Sequence, residues 1–414
     1  MLTLADARVI LRAELFDEPP MSASNSSLTG WQLPDEYVLL RDTVRRFMQE
    51  EVKPVEDRLP HDANAPAAAD LELLQKRARE LGLWCVQSPA EHGGAELDLL
   101  GQCVVAEEAA KCRMGLYFPA CGAFGQDPPL VIFKGTKHHL DQYAIPTIAR
   151  GLKTFVAISE PSGGSDPARA IATRAERKGD RYVLNGSKMW ISGIDKATWG
   201  VLYARTGAKG DRGGITAFVV DPARPGIHLR KIGVMRSYQP FQVHLENYEI
   251  PVEDRLGDEG AGFKLAEQWL VHARVPYAAA SIGVAQESLA LAIDWAKQRE
   301  TFGARLADRQ AIQWMVADSE MELRAARLLV YQAAWKGDRG EDIKIDASIA
   351  KVFATEAAGR VVDRCIQILG GMGVTQEMPL ERWYRELRIR RIGEGPSEVQ
   401  RMVIARELLS GARA

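Results

Sequence analysis

The apolar residues of this chain change period twice, and that order limits the folds open to it. From about Leu33 to Arg150 they recur at three- and four-residue spacing: Tyr37, Leu40, Val44 and Phe47, then Leu71, Leu74, Ala78 and Leu81. This spacing predicts a lobe of roughly five amphipathic helices, punctuated by Gly82, Pro89 and Gly93–Gly94. From about Phe155 to Gly262 the pattern becomes that of strands. Tyr182-Val183-Leu184, Asn185-Gly186 and Met189-Trp190-Ile191 predict a hairpin, because Asn-Gly supplies the positive φ angles of a type I′ turn. Val201–Ala204, Ile215–Val220 and Phe241–Ile250 are further strands. From about Ala266 the helical period returns: Ile282, Ala285, Leu289, Ala292, Ile293 and Ala296 share one face, and helical stretches cover 308–336, 345–370 and 395–409. Long helices joined by short breaks predict a four-helix bundle. The expected architecture is α+β: an N-terminal helical domain over 31–154, a small β-barrel or sandwich over 155–270, and a C-terminal helical bundle over 271–414. A loosely ordered extension, 1–30, precedes them.

At 414 residues, with 46% hydrophobic and 26% charged, the chain is long enough to core such an assembly. Its formal net charge of −2 argues against a general affinity for nucleic acid or anionic lipid. Its apolar runs stop short of the ~18 residues that a membrane span needs. Asp6, Glu14, Asp17 and Glu18 suit neither a signal peptide nor a mitochondrial presequence. The cysteines (Cys85, Cys103, Cys112, Cys121 and Cys365) are odd in number and form no CxxC, so the expectation is reduced thiols, a cytoplasmic setting and no metal site.

Three segments carry chemistry. Phe155 to Asp166 runs from a strand into Ser159-Glu160-Pro161-Ser162-Gly163-Gly164-Ser165, where small residues let backbone approach a phosphate; by itself this is also an ordinary turn. Arg299-Glu300-Thr301-Phe302-Gly303, with Gln310, sets a guanidinium and a hydroxyl two residues apart, which suits a pyrophosphate but equally a helix C-terminus. Gln367 to Gly373 is followed by Arg391-Ile392-Gly393-Glu394-Gly395-Pro396-Ser397. There a glutamate between glycines either complements the next helix dipole or serves as a general base.

In this order and spacing, and together with Lys188-Met189-Trp190-Ile191-Ser192, the segments resemble the acyl-CoA dehydrogenases from about Tyr37 to Leu409. The resemblance implies bound FAD, an acyl-CoA substrate, usually a homotetramer, and electrons passed to an electron-transfer flavoprotein. It implies that Val156, Ile158, Ser159, Gly164 and Ser165 follow the flavin and its pyrophosphate, with Ser165 also near the CoA phosphates. Trp190 would pack on the flavin ring, with Ser192 by its N5 edge. Arg299, Thr301, Phe302, Gln310, Gln367, Gly370 and Gly371 would hold the pyrophosphate and adenosine, some across a subunit boundary, and Pro396 and Glu398 would border the cofactor. Arg274 would neighbour the CoA end, Gly393 and Gly395 would border the substrate, and Glu394 would be the catalytic base.

That base would take the α-proton of a thioester while the β-hydrogen leaves as hydride, giving a trans-2-enoyl-CoA. Burial should raise its pKa toward neutrality. Members that place the base on an earlier helix have it where this chain has Ala273. Others carry an aromatic where this chain has Gly393, which predicts added space for branched or cyclic acyl groups. Alternatives are an acyl-CoA oxidase of the same fold, or a non-catalytic flavoprotein associated with nucleic acid, which the net charge disfavours.

Overall fold

Residues 32–208 and 212–410 are described by the computed structural model, so the extension over 1–30 lies outside the described residues. The N-terminal lobe has four principal helices where about five were expected: α1 over 35–56, α2 (Ala68–Glu80), α3 (Leu99–Ala109) and α4 over 137–150. The intervening Pro- and Gly-rich segments form only short 3-10 turns. Val44, Phe47 and Val52 of α1 pack with Leu74, Ala78 and Phe124, the face that the spacing indicates.

The β domain is one eight-stranded mixed sheet: β1 (Thr154–Ala157), β2 (Arg174–Lys178), β3 (Arg181–Ser192), β4 (Trp199–Arg205), β5 (Ile215–Val220), β6 (Ile227–Lys231), β7 (Pro240–Pro251) and β8 (Arg255–Leu256). The order is β6-β7-β3-β2-β4-β5-β8, with β1 parallel to β4. Leu184, Leu202, Phe218, Val243 and Tyr248 fill one face. Val201, Tyr203, Ala217 and Val219 meet Ile132, Ala144, Phe263 and Ala266 on the other. Being covered on both sides, β4 and β5 are buried throughout and almost wholly apolar, Arg205 and Thr216 being the exceptions.

The expected hairpin at Asn185-Gly186 is not formed: both residues lie inside the long strand β3. They mark a β-bulge in which Asn247 of β7, at φ 48°, is the extra residue and donates its N–H to Asn185 Oδ1 at 2.8 Å. Gly186 is needed for close approach, since a Cβ there would stand 2.6 Å from Thr173 Cα. The tight turn comes earlier, at Gly179 (φ 63°) and Asp180, between β2 and β3.

The C-terminal region holds α5 (Gly262–Gln298), α6 (Gln310–Asp338), α7 (Lys344–Leu369), α8 (Leu380–Arg390) and α9 (Ser397–Leu409). Helices α5, α6 and α7 pack together, α9 lies on α7, and α3 reaches in from the N-terminal lobe against α5 and α6. Because α5 starts at Gly262, it runs unbroken through 270–271, where the sequence placed a domain boundary. No described helix is long and apolar enough to cross a membrane.

Candidate active site

Glu394 sits in the turn between α8 and α9 with φ 55°, followed by Gly395 at φ 93°. A left-handed glutamate costs about 1–3 kcal/mol and persists only where its surroundings hold it. Here Arg274 of α5 donates from Nε to the Glu394 carbonyl at 3.1 Å. Lys351 of α7 donates to the carbonyls of Gly395 at 2.9 Å and Arg391 at 3.3 Å. Gln400 of α9, anchored by Ser348 Oγ at 2.9 Å, also donates to the Gly395 carbonyl. Three helices thus grip the backbone of the turn and leave the carboxylate to point elsewhere. Its Oε2 is shut from solvent and has no hydrogen-bond partner. Burial pushes the carboxyl up to about 7, against the lowering pull of Arg390, Arg274 and Lys351. Burial likewise pushes Lys351 down to about 8, with Glu394 opposing the shift. Pro396 precedes the first turn of α9, where Glu398 is exposed, and Ala273 lies beside Arg274 on α5.

A second group forms where β1 runs into its loop beside the end of β3. Val156 and Ile158 are half-buried; Ser159 accepts the Met189 N–H at 2.9 Å; Gly164 and Ser165 are exposed. The loop is pinned by Glu160, whose carboxylate meets Lys188 Nζ at 2.8 Å and accepts the N–H groups of Ala172 and Thr173. Lys188 also donates to the Ile158 carbonyl at 3.1 Å. Both residues belong to motifs visible in the sequence, but this buried ion pair was not read there. A second β-bulge gives Trp190 a φ of 65° and turns its side chain out, 52% exposed. Ser192 Oγ accepts from Arg236 Nη2 at 2.6 Å.

The third group lies elsewhere. Arg299, Thr301, Phe302 and Gln310 join the end of α5 to the start of α6, and Gln367, Gly370 and Gly371 close α7 at the same end of the bundle. Arg309 braces the connection by donating to the Thr301 carbonyl at 2.6 Å, and Phe302, at φ 51°, is 100% exposed. Along α5, Arg299 is roughly 37 Å from Arg274 at the ordinary helical rise. One chain therefore unites the first two groups and holds the third far from them.

Family models for the N-terminal, middle and C-terminal domains of acyl-CoA dehydrogenase match residues 34–151, 156–247 and 260–409. This chain belongs to the acyl-CoA dehydrogenase family. The short-chain specific acyl-CoA dehydrogenase of Bos taurus mitochondria is 37% identical over 92% of this chain and 92% of its own length. A 3-(aryl)acrylate reductase of Clostridium sporogenes is 37% identical over 91% and 99%. The solved butyryl-CoA dehydrogenase of Megasphaera elsdenii superposes with a TM-score of 0.81 at 30% identity, covering 92% of this chain and 100% of that one.

Acyl-CoA dehydrogenases are FAD-dependent oxidoreductases, and so is this member. Its residues fit the cofactor: an outward-turned Trp190 offers an exposed ring, and Gly164, Gly370 and Gly371 leave open space where side chains would stand. In one respect this acyl-CoA dehydrogenase departs from expectation. Gly393 opens no space, because Tyr277 Oη of α5 lies 2.8 Å from where its Cβ would be. Arg390 stacks on that tyrosine, 3.8 Å from the ring centre, and donates to its carbonyl at 3.0 Å.

Tyr277, Arg390, Arg236 and Lys351 went unread in the sequence, since nothing in their local spacing distinguishes them from helix or loop residues. Glu56, Cys112 and Cys121 form a buried trio whose ligand atoms lie within 4.8 Å of one another, a grouping that the sequence, with Glu56 far from the two cysteines, does not reveal. Glu56 there accepts the Arg113 N–H and pairs with Lys53 at 3.7 Å.

Proposed function

We propose that this acyl-CoA dehydrogenase converts an acyl-CoA thioester to the trans-2-enoyl-CoA, with Glu394 as the base for the α-proton. The Glu394 turn carries the reading. Its carboxylate is withheld from internal partners, desolvated enough to titrate near neutrality, and fixed through its own backbone by Arg274. A base whose pKa lies close to the working pH is the most effective kind. Bound FAD supplies the acceptor for the β-hydrogen. The chain's part is to hold thioester and base in register and exclude water, with Val156, Ile158, Ser159, Gly164, Ser165, Trp190 and Ser192 on the flavin side. Arg274, Gly393 and Gly395 line the substrate side, and Pro396 and Glu398 border the cofactor.

The distance between the first two groups and the Arg299–Gln310–Gln367 cluster supports a cofactor shared by two subunits. So does the outer face of α6, where Trp314, Met321, Leu328 and Trp335 are exposed at seven-residue intervals, the period of a helix–helix seam. We read the assembly as a homotetramer, placed in the cytoplasm, with an electron-transfer flavoprotein as acceptor. The domain limits that suit this assembly are 31–154, 155–270 and 271–414, with α5 crossing the last. Anaerobic addition of straight, branched and cyclic acyl-CoAs to the yellow protein tests the reaction. Bleaching of the flavin with release of enoyl-CoA is expected, and an unchanged spectrum with every ester would refute it.

A further inference from the structure

A run of aromatic rings and guanidinium groups spans the interval between Ser192 and Glu394. Arg236, which donates to Ser192 Oγ, lies over the ring of Tyr117 with its guanidinium carbon 4.5 Å from the centre. Arg390 faces the same ring at 5.8 Å and stacks on Tyr277, whose hydroxyl abuts Gly393. Tyr117 comes from the helical lobe, Arg236 from the loop before β7, Tyr277 from α5 and Arg390 from the end of α8. All the main regions of the chain therefore converge on this interval.

Its charge is unbalanced. Arg236 is 8% and Arg390 5% exposed, and neither has a carboxylate within ion-pair distance among the described residues. Arg390 gives its terminal nitrogens to the carbonyls of Tyr277 and Leu116, and its Nε has no partner. The Tyr117 hydroxyl is buried and also unpartnered. Ring faces offset only part of what desolvating two guanidinium groups costs. Glu394 feels Arg390 more strongly than Arg274 or Lys351, but it is one carboxyl among three cations and takes up a proton in the proposed reaction, and Arg236 does not act on it. A purely hydrocarbon acyl chain would leave Arg390 Nε and the Tyr117 hydroxyl unsatisfied.

We propose that the acyl group carries a second carboxylate, held by Arg236, Arg390 and the Tyr117 hydroxyl, so that the substrate is a short dicarboxylyl-CoA. The carboxylate would supply counter-charge to both guanidinium groups and accept from Arg390 Nε and the Tyr117 hydroxyl, which have no acceptor among the described residues. This rests on the function proposed above and names its substrate class. Closeness of Arg390 to Glu394, one helical turn apart in sequence, favours a chain of few carbons.

Binding decides the matter without turnover. Calorimetric titration of FAD-loaded Glu394→Gln protein would compare succinyl-, glutaryl- and adipyl-CoA with butyryl-, pentanoyl- and hexanoyl-CoA. At least one dicarboxylyl ester should bind tenfold or more tightly than its neutral counterpart of equal length. Adding Arg236→Gln or Arg390→Gln should cut that ratio about tenfold. Because Arg390 also braces two carbonyls, Tyr117→Phe serves as the variant that removes one oxygen and little else, and it should cut the ratio two- to fivefold. Equal or tighter binding of the neutral esters, or variants that weaken both classes in proportion, would overturn the proposal while leaving the dehydrogenase reading intact. Failure of every CoA ester to bind would overturn both.

Discussion

The Nε–H of Arg274 donates to the main-chain carbonyl of Glu394 at 3.1 Å, across 120 residues of sequence. The arginine thus grips the backbone of the acid and leaves its carboxylate free. This separates two effects that an ordinary ion pair would merge: the turn is positioned, and the carboxylate feels a nearby cation without being committed to it.

Arg274→Gln should therefore change the pH profile as well as the rate. Arg274 lowers the Glu394 pKa, so its removal should move the rising limb of kcat to higher pH, with a fall of about tenfold or more at pH 7. Lys351→Met should move the limb in the same direction. Stopped-flow flavin reduction across pH 5–9 checks both, and a limb that stays in place would mean that these cations do not reach the base.

The raised pKa of Glu394 also bears on stability. A carboxyl that titrates at about 7 in the fold and near 4.5 when unfolded binds more protons in the native state between those values. Stability from this group is fully present below pH 4.5 and is lost as pH rises through 7. Glu394→Gln lacks that loss. Its melting temperature should match the parent at pH 4–5 and exceed it at pH 8, as read by differential scanning fluorimetry.

Gly393→Tyr should destabilise the protein, because the new side chain meets Tyr277 Oη 2.8 Å from its Cβ. Overpacking of this kind costs about 1–3 kcal/mol. Tyr277→Phe in the same chain removes the hydroxyl, keeps the ring under Arg390 and should restore part of the lost melting temperature. Additive losses in the double variant would show that the two positions do not share that space.

Lys188→Met should be severe, since it leaves the Glu160 carboxylate buried beside the loop expected to follow the flavin. Breaking a buried pair costs about 3–5 kcal/mol, whereas replacing both partners costs less. Urea denaturation of Lys188→Met and of Glu160→Gln/Lys188→Met should rank them in that order.

Met321→Glu, on the exposed α6 stripe, should split the assembly. Light scattering should report smaller species, and flavin content should fall with them if subunits share the cofactor. An intact tetramer with full flavin would move the interface elsewhere.

Much of the fold is legible where burial follows a single period. The faces of α1 and α2 are plain in the sequence because each is buried along a regular stripe, and β4 and β5 because they are nearly continuous apolar runs. Strand β2 is hidden because Ala175 is its one buried residue, the rest being charged and exposed. Helix α8 is hidden for the opposite reason, since its buried face mixes Trp383 and Leu387 with Arg382, Glu386 and Arg390, polar residues held by one another and by distant carbonyls. Glu394 could be singled out as a carboxylate between glycines. Its environment could not, because Arg274, Tyr277, Lys351 and Arg390 reach it from three helices far apart in the chain. Asn185-Gly186 misled because the glycine is there for close approach to Thr173 and the asparagine side chain accepts from the bulge at Asn247, uses that look like a turn in the sequence.

Glu394→Gln tests whether Glu394 removes the α-proton. The variant should keep its yellow colour and bind acyl-CoA, since amide and protonated acid have nearly the same shape. Its anaerobic flavin reduction by a substrate that bleaches the parent should be slower by roughly 10²–10⁴, the usual contribution of a positioned base. Reduction at the parent's rate, with full FAD and normal substrate affinity, would show that another group takes the proton.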